Sequence, residues 1–500
     1  MGVFDESGVV RGEDGVKRYA NRPDSLVAML RNSVERRPEG EAIVDLGTGA
    51  RVTYRELWDR SARVAGGLAA SGLQRGDRAA IQLGNGLDWV LAFLGCHLAG
   101  VVAVPVNIRF SREEIDYVID DSGSAYVFRP DDALPDGEPL VVDDLQPADL
   151  AAIFYTSGTT GFPKGARTTH ANFLSNNESA RRVIGLPDDG SVRNLLSVPL
   201  FHATGCHSQL LATLERCGAT VIMPAFEVQA FLQAIEAERI NVLVSVPAVY
   251  WLAISQENFG DFDVSSVRWL VYGGAPIAPD LVARLKDAFP RARLGNGFGL
   301  TETASIATYL PHEYADEHAD SVGFAAPVME VDLRDVDPDT GVGELLIRGS
   351  NVVDGYWNKP EATAETFVDG WLRSGDLARI DDKGLVYIVD RAKDMINRGG
   401  ENVYCVEVEN CLAAHPDIFE AAVMGVPDAM MGEKVGAVIV PVPGREVDAD
   451  DVVAFCRRHI GDFKVPQYIH VAGEALPRNP GGKVLKPTLR ESVDWGEPLF

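Results

Sequence analysis

The sequence predicts an α/β protein: a large N-terminal body of layered mixed sheets and helices, followed by a small, mobile α+β domain. Three observations predict it. Short apolar, β-branched runs alternate with helical patterns up to about residue 320. Beyond that point, strand–turn–strand patterns replace the alternation. Finally, a chain of 500 residues is too long for one hydrophobic core, so two or more domains are expected.

The elements follow in order. Residues 79–85 (AAIQLGN) read as a buried strand. From Trp89 to Val106 the one clearly polar side chain is His97, and the run approaches the length of a membrane span. Gly95, Gly100 and Pro105 interrupt it, so it reads as a buried helix and then a buried strand, 101–107. Ser111 to Gly123 has a serine cap, apolar Ile115, Val118 and Ile119, and a terminal glycine, which together specify a helix. Strands follow at 125–128, at AAIF (151–154), and in the runs 219–224, 241–247 and 267–274. Residues 331–349 and 378–391 read as hairpins, with turns at Asp339-Thr340-Gly341 and Asp382-Lys383-Gly384. A new unit starts near 393, giving domains 1–392 and 393–500. In the second, 406–415 and 448–460 read as helices, and 421–426 and 434–442 as strands.

Charge and cysteine usage exclude several functions. Against 46 Lys and Arg stand 73 Asp and Glu, a net charge of −27, so nucleic acid and anionic membrane are not expected partners. The 46% hydrophobic and 24% charged composition is that of a folded protein. Six scattered cysteines without a C-x-x-C pair argue against disulfides and structural zinc, and for a reducing, cytoplasmic setting. His202, Cys206 and His207 lack a nearby carboxylate or second cysteine cluster and are not expected to hold a metal. Glu6 stands where a myristoylation signal needs Ser or Thr, and EPLF at the C-terminus is no peroxisomal address.

Chemistry concentrates in a few segments. Tyr155-Thr156-Ser157-Gly158-Thr159-Thr160-Gly161-Phe162-Pro163-Lys164-Gly165 follows a buried strand and combines glycines, hydroxyls and one lysine, donors suited to phosphate oxygens. It is not a Walker loop, because Gly158 and Gly161 are too close and Lys164 precedes Gly165. Gly297-Phe298-Gly299-Leu300-Thr301-Glu302 offers a ring for base stacking, a hydroxyl and a carboxylate for a magnesium–triphosphate complex. Gly273-Gly274-Ala275-Pro276 is a close-approach backbone turn. Ser374-Gly375-Asp376 places an aspartate at a turn, where it could take ribose hydroxyls or simply face solvent. Charges and glycines crowd 390–403, and Gly481-Gly482-Lys483 puts a lysine on a glycine loop.

Taken in order, from Thr53-Tyr54-Arg55-Glu56-Leu57 to Lys483, these motifs resemble the adenylate-forming superfamily of acyl-CoA synthetases, luciferases and peptide-synthetase adenylation domains. The resemblance implies that Thr156, Ser157, Gly158, Thr159, Thr160, Gly161 and Lys164 face the triphosphate. It implies an adenine site at Gly274, Ala275, Pro276, Gly297, Phe298 and Gly299, with Phe298 where the family usually has tyrosine. Thr301 would contact the adenylate and Glu302 would hold Mg2+. Asp376 and Arg391 would bind ribose and phosphate, Lys393 would be the hinge, and Lys483 the catalytic lysine. His202, Val246, Tyr250 and Gly273 would line the acyl pocket, with glycines 205, 273, 274 and 297 leaving room for a tail. Gly399, Gly400 and Glu401 would border the CoA path. Asp390 departs from a common glycine.

The function so implied is an AMP-forming acyl-CoA ligase that uses ATP, Mg2+ and coenzyme A. No second-carboxylate cation and no α-amino partner stand out, which favours a monocarboxylic fatty or aromatic acid. A stand-alone enzyme loading an acyl-carrier protein shares all the motifs, as would a luciferase-like oxygenase. A non-catalytic acyl or nucleotide binder is disfavoured by the retained Lys164, Glu302 and Lys483. A homodimer is allowed.

Overall fold

The computed structural model describes residues 2–500 except 157–161, 276, 278, 400, 429 and 479–483. Two compact units emerge: Met1–Ala275 with Leu281–Val331 and Leu346–Arg373, and Pro276–Asp280 with Asp332–Leu345 and Ser374–Phe500.

The first unit holds two large sheets. In one, Tyr126–Phe128, Arg78–Ile81, Val102–Pro105 and Leu150–Thr156 run parallel, and Lys164–Thr169 closes the edge antiparallel. In the other, a parallel run from Glu41–Asp45 through Ala219–Ile222, Arg193–Leu196, Val242–Ser245 and Trp269–Gly273 reaches Arg293–Phe298. Antiparallel strands cap both of its ends. Buried parallel strands must be apolar on both faces, which is why these segments read as β-branched runs without alternation.

The apolar run from Trp89 lies in helix Leu87–Leu98, buried at every position but Asp88, and then strand Val102–Pro105, fully buried. Gly95 lets that helix approach helix Tyr54–Ala70, since a Cβ there would meet Val64. Among the described residues no helix is long and apolar enough to cross a membrane. The helix expected at 111–123 spans Arg112–Ser122. Ser111 and Glu114 form a reciprocal capping box, and Gly123 ends it at φ 61°.

In the second unit, the Asp339-Thr340-Gly341 turn is closed by Asp337 N donating to Val342 O at 2.9 Å. Ile418–Asp428 and Gly432–Pro441 pair antiparallel over their length, and Tyr468–Val471 joins parallel. Helices Cys405–Ala413 and Ala449–His459 bury Val408, Leu412, Val452 and Cys456 in that unit's core. All six cysteines are free and buried. Lys486 Nζ reaches Glu409 at 2.8 Å, and burial pushes the Glu409 carboxyl up while Lys486 opposes it.

Candidate active site

Parallel strands bring their carboxyl ends to one edge, and the chemistry-bearing turns leave from those ends. Strand Leu150–Thr156 carries Thr156 at its end and returns as Lys164–Thr169, with Thr156 opposite Lys164. Ser157, Gly158, Thr159, Thr160 and Gly161 lie outside the described residues. The Lys164 ammonium sits 5.3 Å over the ring of Tyr356.

Strands Trp269–Gly273 and Arg293–Phe298 run side by side, with Gly273 opposite Gly297. A Cβ on Gly273 would collide with the Gly297 carbonyl oxygen, so this glycine is required by strand approach. Gly274 turns the chain at φ 73° and Ala275 is exposed; Pro276 lies outside the described residues. Phe298 is half-buried, and a Cβ on Gly299 would strike the Ser305 carbonyl oxygen. Thr301–Thr303 then form a tight turn, closed by Thr303 Oγ1 accepting from Leu300 N at 2.8 Å.

Beyond the turn, Ala304 and Ser305 hold positive φ, 49° and 106°. Side chains from distant segments fix this strained backbone. His207 Nδ1 donates to Ala304 O at 2.9 Å, and Ser208 Oγ donates to Ser305 Oγ at 2.8 Å. Both belong to a π-helix, Thr204–Leu211, a form often found at functional sites. Asn176 accepts from Ile306 N at 3.0 Å, and Asn351 donates to Ile306 O at 2.9 Å. Burial pushes the His207 pKa down to about 4, so its ring is neutral near pH 7.

Glu302 is clasped by residues 353–357. Val353 N donates to Glu302 O at 2.9 Å, and the Tyr356 hydroxyl donates to Glu302 Oε1 at 2.7 Å. The same segment is stitched to strand Lys164–Thr169: Trp357 N donates to Gly165 O at 2.7 Å, and Arg167 N to Gly355 O at 3.1 Å. Burial, and then the Glu302 charge, raises the Tyr356 hydroxyl far above its ordinary pKa, so it donates at every working pH. Lys164 and Glu302 thus meet around one tyrosine ring.

Of the residues expected in the acyl pocket, His202 is half-buried with its ring 4.8 Å from Phe201. Val246 caps helix Pro247–Ile254. Tyr250 is fully buried and its hydroxyl donates to Val271 O at 2.8 Å; it braces a strand instead of bordering open space. Gly273 and Gly205 do not leave room for a tail either, because backbone fills their Cβ positions. Gly274 and Gly297 do leave space: the nearest atoms to a Cβ are 3.8 Å away.

The second unit carries the remaining residues. Antiparallel strands Trp371–Ile380 and Val386–Arg391 set Asp376 opposite Arg391. Arg391 Nε lies 2.7 Å from Asp376 Oδ1, and the Asp376 side chain is only 3% exposed. Lys393 follows and is exposed. Gly399 has φ 62° and heads the turn between Arg398 and exposed Glu401. Gly400 and Lys483 lie outside the described residues. Asp390 accepts from the backbone of Arg391 and Cys405, and burial pushes its carboxyl up to about 6.

Tyr356, Ser208, Asn176 and Asn351 have no counterpart among the residues that the sequence singles out, and His207 stands there only among those not expected to hold a metal. The available signals are Gly355-Tyr356-Trp357 before Lys359-Pro360 and the adjacent His207-Ser208 pair.

A glycine-rich turn after a parallel strand, with a lysine and a motif carboxylate on one buried ring, defines a nucleotide-binding α/β enzyme. The AMP-binding enzyme family model matches residues 30–142 and 129–357, and the AMP-binding enzyme C-terminal domain matches 407–483. The chain belongs to the AMP-binding enzyme family. A feruloyl-CoA synthase from an Amycolatopsis species is 37% identical over 469 residues, 88% of this chain and 94% of the relative. Long-chain-fatty-acid–CoA ligase FadD13 of Mycobacterium tuberculosis is 34% identical over 504 residues, covering 94% of this chain and 99% of the relative. The o-succinylbenzoate CoA synthetase of Bacillus subtilis, solved with an acyl-adenylate intermediate, superposes with TM-score 0.85 at 29% identity, over 94% of this chain and 99% of its own. A second structure of that synthetase holds ATP and a magnesium ion.

Proposed function

We propose that this chain activates a monocarboxylic acid, fatty or aromatic, as its acyl-adenylate and passes the acyl group to coenzyme A in the cytoplasm. The reaction class is AMP-forming acid–CoA ligation, in keeping with the named relatives. The observation that carries the site assignment is the Lys164–Tyr356–Glu302 cluster, which brings a cation and a carboxylate to one tyrosine side chain. Both charges are half-buried, so solvent and ligand can reach them, and a polyphosphate with its counter-ion would use both.

In the first half-reaction a carboxylate oxygen attacks the α-phosphorus of ATP; the new P–O bond forms as the α–β bridge breaks and pyrophosphate leaves. Thr156, Lys164 and Lys483 would stabilise the charge that develops on the phosphoryl oxygens. Phe298 would stack on adenine, Thr301 would bond the adenylate, and Asp376 with Arg391 would fix the ribose. Glu302 suits Mg2+, which takes few protein carboxylates alongside phosphate oxygens. When bound, the ion neutralises charge on the leaving pyrophosphate. In the second half-reaction the CoA thiolate attacks the acyl carbon, a C–S bond forms, and the C–O bond to AMP breaks. Rotation about Lys393 would carry Lys483 away and bring Gly399, Gly400 and Glu401 to the thiol path.

The test offers ATP, magnesium and a panel of fatty, aromatic, dicarboxylic and amino acids, with and without CoA. Pyrophosphate release with a fatty or aromatic acid, and a CoA thioester identified by mass, is the expected result. Adenylation without any CoA thioester would transfer the assignment to carrier-protein loading, and no adenylation at all would refute it.

A further inference from the structure

Tyr356 has no role in the reaction as described above. Three facts single it out. Its hydroxyl donates to one oxygen of Glu302, Oε1, at 2.7 Å. Its ring lies under the Lys164 ammonium at 5.3 Å. Its backbone bridges Ala166 of the phosphate-loop return strand, and its N–H donates to Thr363 Oγ1 at 3.0 Å. The ring is buried and packs edge-on against Phe367 at 5.6 Å, so it has one available position.

We propose that Tyr356 is a positioning residue for adenylation: its hydroxyl fixes the Glu302 carboxylate with Oε1 occupied and Oε2 presented to the metal of the metal–ATP complex, while its ring holds Lys164 in register with the same phosphates. The inference rests on the ATP-dependent reading of the site and assigns how two of its charges are aligned. A glutamate has three rotatable bonds and points wherever its partners allow, whereas a carboxylate with one oxygen hydrogen-bonded keeps a fixed ligand geometry. A cation over a ring face is restrained without being neutralised, which leaves the Lys164 ammonium available to the phosphates. Because residues 353–357 also bind the backbone of Glu302 and of Gly165, one segment aligns the two motifs that the chain order separates.

The test uses the full chain and three variants: Tyr356→Phe, Glu302→Gln and the double variant. Tyr356→Phe keeps the ring, and with it the contact to Lys164, and removes only the hydroxyl. Mn2+ is titrated into enzyme saturated with α,β-methylene-ATP, a non-reacting analogue, and free Mn2+ is read by electron paramagnetic resonance. Thermal unfolding and the metal-free affinity for the analogue are measured alongside.

A charge-assisted hydrogen bond that orients a ligand predicts about a tenfold loss of Mn2+ affinity for Tyr356→Phe. Metal-free analogue affinity and the unfolding midpoint stay near wild type. In the Glu302→Gln background, adding Tyr356→Phe causes no further loss, because the hydroxyl acts through that carboxylate. Unchanged Mn2+ affinity in Tyr356→Phe overturns the inference, as does a full additional loss in the double variant. If Tyr356→Phe is too unstable to assay, Tyr356→Met, which also lacks a donor to Glu302, is measured in its place against the same two criteria. Failure of the wild-type chain to bind Mn2+ with the analogue refutes the ATP-dependent reading itself, a result distinct from failure of Tyr356 alone.

Discussion

Replacing Asp376 by asparagine probes the proposed ribose contact where its geometry is best defined. The carboxylate is 3% exposed and accepts from Arg391 Nε at 2.7 Å. Its backbone N–H donates to Ser374 Oγ at 3.0 Å, and Ser374 donates in turn to Leu345 O at 2.7 Å. Strand register and this turn place the side chain, so asparagine occupies the same position and loses only the charge. A hydrogen bond to a charged acceptor is worth about 1.5–3 kcal/mol, against about 1 kcal/mol for a neutral one. With two proposed ribose hydroxyls each losing that difference, about 0.5–2 kcal/mol, Asp376→Asn should weaken ATP binding by roughly 1–4 kcal/mol, or about 5- to 700-fold in KM. Arg391 is 37% exposed, so its lost partner is replaced by water and stability falls by less than about 1 kcal/mol. The assay is pyrophosphate release against ATP at saturating acid, with thermal unfolding as control. An unchanged KM for ATP in a folded variant would refute the ribose assignment, as would a rise confined to the KM for the acid.

Other predictions follow from other parts of the chain. Lys483→Ala should lose adenylation by about 10²-fold or more and still convert pre-made acyl-adenylate to thioester; rapid-quench assays of both half-reactions read this, and equal losses contradict it. His207, held near pKa 4 against an ordinary 6.5, binds fewer protons folded than unfolded. Its contribution is therefore intact above about pH 6.5 and lost as pH falls toward 4, and His207→Asn should flatten the unfolding midpoint across that window. Asp390 is the opposite case: raised to about 6, it binds more protons folded, so stability falls as pH rises from about 4 to 6. Asp390→Asn should raise the unfolding midpoint above pH 6, and an unchanged midpoint there counts against a buried, ionised Asp390. Gly273→Ala should destabilise the first unit by about 1–3 kcal/mol, because the added Cβ meets backbone; denaturant unfolding checks it.

Local order carried much of the architecture. Runs such as 241–247 and 267–274 sit between two apolar layers, so β-branched composition alone marked them as strands. Ser111 and Gly123 marked a helix because caps act on neighbours in sequence. The glycine loop, Phe298 to Glu302 and Asp376 stand out in the sequence as candidates because each motif is contiguous. What holds them was not. Tyr356 reaches Glu302 across fifty-four positions, and His207 reaches Ala304 across ninety-seven. A polar side chain inside an apolar run looks the same in sequence whether it fixes a strained turn or merely fills space. The glycines misled for the same reason: Gly205 and Gly273 read as room for a substrate, yet backbone from Pro199 and Gly297 fills their Cβ positions.

The central claim is that a carboxylate oxygen of the acid becomes bonded to the α-phosphorus of ATP. Turnover of an 18O-labelled carboxylic acid with ATP, magnesium and CoA, followed by mass analysis of the nucleotide, tests it directly. AMP should carry one labelled oxygen per thioester formed. Unlabelled AMP, or label appearing in inorganic phosphate with ADP as the product, would contradict it.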